Sequence, residues 1–252
     1  MSGFSRFIPD ADGTALSLVV VNRDSPEALR GLLESTFDGQ SITVDEVERD
    51  DAERDMVYLL DGTEVIARSP LAEVADAILL VNSDIYVTGS RDVDDVELPA
   101  VIRDLTDVPF RLRGYPESNR EKLLLITISR YIERLSLEHD TGTHRASFQH
   151  LSRIDDERGT KTVYDRLAHS ETDTHVYGMP DWTPSPGNHL TMHGGWTRAF
   201  QDLWFVVHVP DDESLRHAAL VAIEQEPGIW NGVWTFDEAR VKAINRHIER
   251  TL

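Results

Sequence analysis

The stretch LWFVVHVPDDESLRHAALVAIEQEPGIWNGVWTF, residues 203–236, decides how the chain is read. Three apolar runs are separated by two polar turns. Residues 203–209 are apolar on both faces until His208 interrupts one of them. A six-residue polar loop, 210–215, follows, so the first two runs read as a hairpin. Ala218, Leu220, Ala222 and Glu224 share one face of the second strand, because side chains alternate with a period of two. Trp230, Gly232, Trp234 and Phe236 share a face of the third. Glycine between two tryptophans signals a close approach to the backbone by a side chain, a bulge or a ligand. Asp237 then reads as the N-cap of a final helix, with Phe236 and Val241 as its hydrophobic staple.

Working outward, the C-terminal half carries most of the chemistry. All five tryptophans lie between Trp182 and Trp234, and all ten histidines lie at or beyond His139. Residues 173–181 alternate, with His175 and Tyr177 on one side and Thr174 and Val176 on the other. A Pro/Gly-rich loop, WTPSPGN (182–188), follows. The longest helix reads from Ser118 to about Glu138. Ser118 and Glu121 make a capping box, and Leu124, Ile128, Ile132 and Leu135 hold one face. Leu123, Leu125, Ile126 and Tyr131 spread apolar surface round the axis, so this helix is expected to pack between two layers. Arg130 and Glu133 are one turn apart and read as ordinary helix electrostatics worth a few tenths of a kcal/mol.

In the N-terminal half, residues 16–22 (LSLVVVN) read as a buried strand. Ser25-Pro26-Glu27 opens a helix with serine at the N-cap. The segment 56–68 is a hairpin turning at Asp61-Gly62, where glycine supplies the positive φ that a two-residue turn requires. Ser69-Pro70 opens a second helix, residues 98–105 a short one, and 109–114 an extended passage. The expected fold is α/β with α+β character: two mixed, mainly antiparallel sheet subdomains joined by the long helix. The division falls at Gly114, giving subdomains 1–114 and 115–252.

Composition narrows function. The 252 residues carry 45 acidic and 25 basic side chains, a formal charge of −20. Three basic residues are lysine and the rest arginine. Low lysine, abundant aspartate and large negative charge together point to a high-salt, halophilic cytoplasm. The same charge disfavours nucleic acid as a partner. With no cysteine, disulfides, thiolate metal sites and cysteine nucleophiles are excluded. No stretch is long and apolar enough for a membrane span, and the expected location is cytoplasmic.

Three chemical readings compete. His189 and His193 have a zinc-like spacing, but on a strand or loop they stand roughly 13 Å apart, so no metal is assigned. His175, Asp181 and Glu224 permit an acid–base set, yet no nucleophile elbow accompanies them, and no catalytic residue is assigned. The aromatics read as core, or as an apolar pocket lined by Tyr177, Trp204 and Trp234 and rimmed by the WTPSPGN loop. Glu224 needs a partner on its apolar face, and Arg130 is a candidate. The candidate ligand-binding set is Tyr177, Asp181, Trp182, Trp204, Glu224, Gly232 and Trp234. No cofactor is identified.

The motifs SRYIERL (129–135), SFQHLSR (147–153), HVYGMPDW (175–182), LWFVVHV (203–209), LVAIEQEPG (220–228) and GVWTFDEARV (232–241) resemble the DICT sensory domain, in that family's order, over roughly the last half of the chain. The N-terminal half resembles stand-alone haloarchaeal members. The resemblance implies a sensory or regulatory role, with a proposed link to light or redox signalling, and attaches no particular ligand; together with the aromatic face it gives the expectation of a non-enzymatic sensory or signalling module that binds a small ligand. It supplies no catalytic residues. Output would pass through a protein partner such as a histidine kinase or regulator. An interaction or scaffold protein without ligand is the alternative, and an enzyme of unrecognised type a third.

The charge generates the first prediction. Unscreened repulsion among carboxylates reaches tens of Å in dilute buffer, so the thermal midpoint rises as KCl is raised from millimolar to molar. A midpoint independent of salt contradicts the halophilic reading.

Overall fold

The computed structural model describes residues 3–9, 16–79, 93–113, 120–156, 158–183 and 189–252. Ser118, the side chain of Leu123, the passage 82–89 and most of the WTPSPGN loop lie outside them.

The first sheet has four strands in the order β2-β1-β3-β4. Strand β1 (Leu16–Val21) runs parallel to β2 (Thr43–Val47) and antiparallel to β3 (Met56–Asp61), which pairs with β4 (Glu64–Pro70). Helix α1 (Glu27–Phe37) provides the crossover that a parallel pair needs, and α2 (Leu71–Leu79) follows β4 directly. The β3–β4 turn is Gly62-Thr63, one residue later than expected, with Gly62 at φ +58°. Ser25 does not cap α1. Pro26 occupies the N-cap, and Asp55 Oδ1 accepts from the backbone of Asp24 and Ser25 and from the Ser25 hydroxyl. Those hydrogen bonds, that of the hydroxyl first, hold the Asp55 carboxyl below its usual range.

The second sheet has seven strands in the order β5-β11-β10-β9-β6-β7-β8. They are β5 (Phe110–Arg113), β6 (Thr143–His150), β7 (Asp173–Met179), β8 (Thr191–Gly194), β9 (Leu203–Val209), β10 (Ala218–Glu226) and β11 (Ile229–Thr235). Only β6–β7 and β7–β8 are parallel pairs. The short α3 (Ala100–Arg103) precedes β5, and α4 (Arg120–His139) is the long helix. Between β6 and β7 lie α5 (Arg153–Asp156) and α6 (Arg158–Leu167). The short α7 (Arg198–Gln201) leads into β9, and α8 (Glu238–Thr251) closes the chain. Asp237 caps α8 as expected, its Oδ1 accepting from Arg240 N at 2.8 Å. The staple does not form. Phe236 turns towards Tyr131 of α4, ring centroids 5.9 Å apart, while Val241 packs in the layer on the sheet's other side.

The architecture is α/β with two mixed sheets, and packing crosses the expected division at Gly114. Strand β5 already belongs to the second sheet, pairing with β11 from Phe110. Phe4 and Phe7, near the N-terminus, pack under α8 on that same sheet. One continuous core holds Leu18, Val20, Val57 and Leu59 of the first sheet together with Leu220, Ala222 and Trp234 of the second. Helix α4 lies between them. Leu124, Leu125, Ile128 and Ile132 are fully buried and Ile126 is half-buried. It packs on α1 and α2 from one side and on β5, β9 and β10 from the other. Apolar surface round most of a helix demands this: only neighbours on several sides remove it from water.

Leu125→Ala therefore costs about 2–5 kcal/mol, and a single cooperative denaturation transition moves to lower urea as a unit. Two separated transitions, with one unmoved, contradict a shared core.

Candidate functional site

Register decides which candidate residues meet. On β9, β10 and β11, Trp204, Ala222 and Gly232 are direct neighbours across the sheet, and Phe110 of β5 stands beyond Gly232. This row faces α4. A Cβ on Gly232 would sit 3.0 Å from the Ala222 Cβ and 3.1 Å from the Val221 carbonyl oxygen. The approach that this glycine permits is therefore made by neighbouring strand β10. Trp234 is 1% exposed and meets Phe110 edge-on with centroids 5.8 Å apart. Trp204, Trp230 and Trp182 pack against the same core.

Tyr177 is on the opposite face. Ala146 pairs with both Val206 and Val176, which puts Val176 on the α4 side and its neighbour Tyr177 on the α8 side. There Tyr177 contacts Phe205. The expected concavity of Tyr177 with Trp204 and Trp234 therefore does not form, since the sheet itself separates them. Asp181 is exposed and accepts from Ser152 N, Ser152 Oγ and His150 Nδ1, at 2.9, 3.2 and 2.8 Å. Those hydrogen bonds outweigh burial and lower its pKa. Glu224 is half-buried, and its Oε1 accepts from Gly228 N at 2.7 Å, closing the β10–β11 turn. Glu224 also lines a cleft of about 510 Å³ with Arg198, Asp202, Leu203 and Ile223.

Arg130 does not reach Glu224. It binds Glu133 Oε2 and Thr160 Oγ1, each at 2.6 Å, with the Arg130 and Glu133 side chains 10% and 4% exposed. This is a buried pair, not surface helix electrostatics, and removing one partner strands the other charge. It opens a polar seam along α4 that sequence reading missed. The Tyr164 hydroxyl donates to Glu133 Oε1 at 3.1 Å and lies 3.2 Å from His144 Nε2. His144 thus lies between the Tyr164 hydroxyl and Ser136 Oγ, which is 2.7 Å from its Nδ1 and itself donates to Ile132 O at 3.0 Å. His208 stands opposite His144 across β9–β6, and its Nε2 is 2.9 Å from His139 Nδ1. Burial pushes the His144 pKa down to about 3. His208 falls to about 2, through burial first and then the neighbouring His144, His139 and His217. Burial likewise raises Tyr164 well above the usual tyrosine range, aided by Glu133. The sequence signal for this seam was the single polar break that His208 makes in an apolar run.

A cleft of about 530 Å³ is lined by Arg103, Asp104, Asp107, Arg216, His217 and Phe236, among others, and a second of about 590 Å³ reaches Thr127 of α4. The first gathers α3, the β9–β10 loop and the start of α8. Asp104 pairs with Arg103, Asp107 with Arg240, and Glu213 and Glu238 with Lys242. Arg216 makes no ion pair among the described residues; its guanidinium lies over the Phe236 ring, 5.4 Å from the centroid. Among the described residues no group of three or more His, Asp or Glu side chains is placed to hold a metal, and no helix is long and apolar enough to cross a membrane. His193 pairs with His175.

The histidine seam generates a pH prediction. A histidine whose folded pKa lies below its ordinary 6.5 binds fewer protons folded than unfolded. Its contribution is complete above about pH 6.5 and is lost as pH falls towards 3. Stability by urea denaturation should fall steeply over this window. His208→Gln should reduce the slope by about 1.4 kcal/mol per pH unit. An unchanged slope contradicts neutral burial of His208.

No protein-family model, no curated protein and no solved structure matches this chain. The likeness to the DICT sensory domain rests on the motifs quoted for it.

Proposed function

We propose that the protein is a non-enzymatic sensory or signalling module that binds a small molecule in the cleft beside Phe236 and signals through α4 to a protein partner. The observation that carries the reading is the ring contact between Phe236, on the wall of that cleft, and Tyr131 on α4. A ligand that shifts Phe236 presses on a helix that packs against both sheets. A packed helix responds to such a push by adopting another discrete position rather than by bending smoothly. Arg216, stacked on Phe236 and free of carboxylates among the described residues, favours an anionic group on the ligand. The motifs resembling a DICT domain support the same class, with a histidine kinase or regulator as the partner.

The second reading is an interaction or scaffold protein without ligand. The closed packing of Trp204, Gly232 and Trp234 favours it, because that aromatic face is core.

Native mass spectrometry of protein purified from its own host separates the two. The sensory reading expects a retained small molecule, released by Arg216→Ala and Phe236→Ala with about a tenfold or greater loss of affinity, or about 1.4 kcal/mol. Tryptophan fluorescence titrated with fractionated host extract gives the same ranking. A bare protein and a flat titration from well-folded wild type overturn the sensory reading.

A further inference from the structure

A second cluster lies on the α8 face of the seven-stranded sheet, at its β7–β8 edge, away from the cleft beside Phe236. Asp173 and His175 project from the same side of β7, and His193 from β8. Asp173 Oδ2 is 2.9 Å from His175 Nε2, and His175 Nδ1 is 2.9 Å from His193 Nε2. The imidazole planes are within 23° of parallel with centroids 5.2 Å apart, so the rings meet end to end through their nitrogens rather than face to face.

Hydrogen-bond logic fixes the protons. An ionised carboxylate only accepts, so His175 carries its hydrogen on Nε2. The Nδ1 of neutral His175 is then an acceptor, and His193 must donate to it from Nε2. The Nδ1 of neutral His193 is left with a bare lone pair. That atom has no hydrogen-bond partner among the described residues, yet it is not among the buried unpaired atoms, so it reaches solvent. The Tyr177 ring lies parallel to His193 at 4.3 Å and 7°, which holds the imidazole in place. Tyr177 is fixed in turn by Arg145, whose Nη1 donates to its hydroxyl at 2.6 Å and whose Nε donates to Asn245 of α8 at 2.7 Å. Glu249 of α8 stands 3.9 Å from the same guanidinium. Every ring in the cluster is thus oriented by a neighbour, and the imidazole nitrogen left without a partner among the described residues is His193 Nδ1.

We propose that Asp173, His175 and His193 form a proton relay, and that Nδ1 of His193 is the base of a second site, for a small molecule bearing a weakly acidic O–H or N–H group. The ligand's O–H or N–H bond breaks, its electron pair stays on the ligand, and the proton forms an N–H bond at Nδ1. Asp173 stabilises the resulting imidazolium through the two intervening hydrogen bonds, the role of a carboxylate behind a histidine base. Burial, and then the neighbouring His175 and Arg145, outweigh Asp173 and hold the His193 pKa below its ordinary value, so the lone pair is available at neutral pH. The site does not depend on the reading of the Phe236 cleft.

Two measurements test it. Nitrogen-15 NMR of the imidazoles near neutral pH should show both His175 and His193 as Nε2–H tautomers, with Nδ1 unprotonated. An Nδ1–H tautomer at His193 overturns the relay. The second uses 4-nitrophenol, whose anion is coloured. Wild type should convert it saturably to the bound anion. His193→Phe should abolish the signal, and Asp173→Asn should weaken it at least about tenfold while His193 remains present. His169→Gln, at an exposed histidine just past α6 whose Nδ1 lies against the Asp165 carbonyl, should leave it unchanged. Absence of a saturable signal in wild type, or an equal signal in folded His193→Phe, overturns the site.

Discussion

Everything in this structure depends on burying one helix from two sides. Helix α4 carries Leu124, Leu125, Ile128 and Ile132 fully out of water. A helix is about 10 Å across, so a stripe on one sheet would leave the remaining leucines and isoleucines wet. The first sheet with α1 and α2, and the second sheet with β5, β9 and β10, together enclose it. Each fully buried side chain of this size contributes about 1.5–3 kcal/mol. One buried cluster spanning both sheets provides that contribution.

The polar seam uses the same helix one or two turns further on. Arg130, Glu133, Ser136 and His139 project where α6, β6 and β9 converge. Such a network gives specificity more than stability, because desolvating charges offsets most of what their pairing returns. It fixes the rotation of α4 against the sheet, since turning the helix would take Glu133 away from Tyr164 and Arg130 away from Thr160. The aromatic row on β9–β11 and Phe110 then packs against a helix whose orientation is set. The proposed sensory role would use such a part: a helix held in place by discrete contacts, whose Tyr131 touches Phe236 on the wall of a cleft.

Elements were legible in the sequence and juxtapositions were not. Periodicity found β1, the β3–β4 hairpin, the three strands of residues 203–236 and the burial of α4 on several sides, because alternation and helical spacing are local. It also put Glu224, Gly232 and Trp234 on the faces they occupy. The side of the sheet taken by Tyr177 was not legible. Which face a residue shares with another strand depends on pairing register, and β7 is three strands removed from β10. Phe110 crosses to the second sheet through a pairing with Gly232 that no local pattern announces. The partners of Arg130 and His175 were equally hidden: Thr160 lies 30 positions from Arg130, and His193 lies 18 from His175. Ser25 had the right neighbours for an N-cap, but Asp55, brought alongside by folding, took its hydroxyl.

The central claim is that α4 joins both sheets into one cooperative unit. Native-state hydrogen exchange read by mass spectrometry tests it most directly. Amides of α4, of β3 in the first sheet and of β9 and β10 in the second should open with the same free energy, equal to that of global unfolding. If β3 exchanges through a lower-energy opening while α4 and β9 stay protected, the first sheet is a separate unit and the account is contradicted.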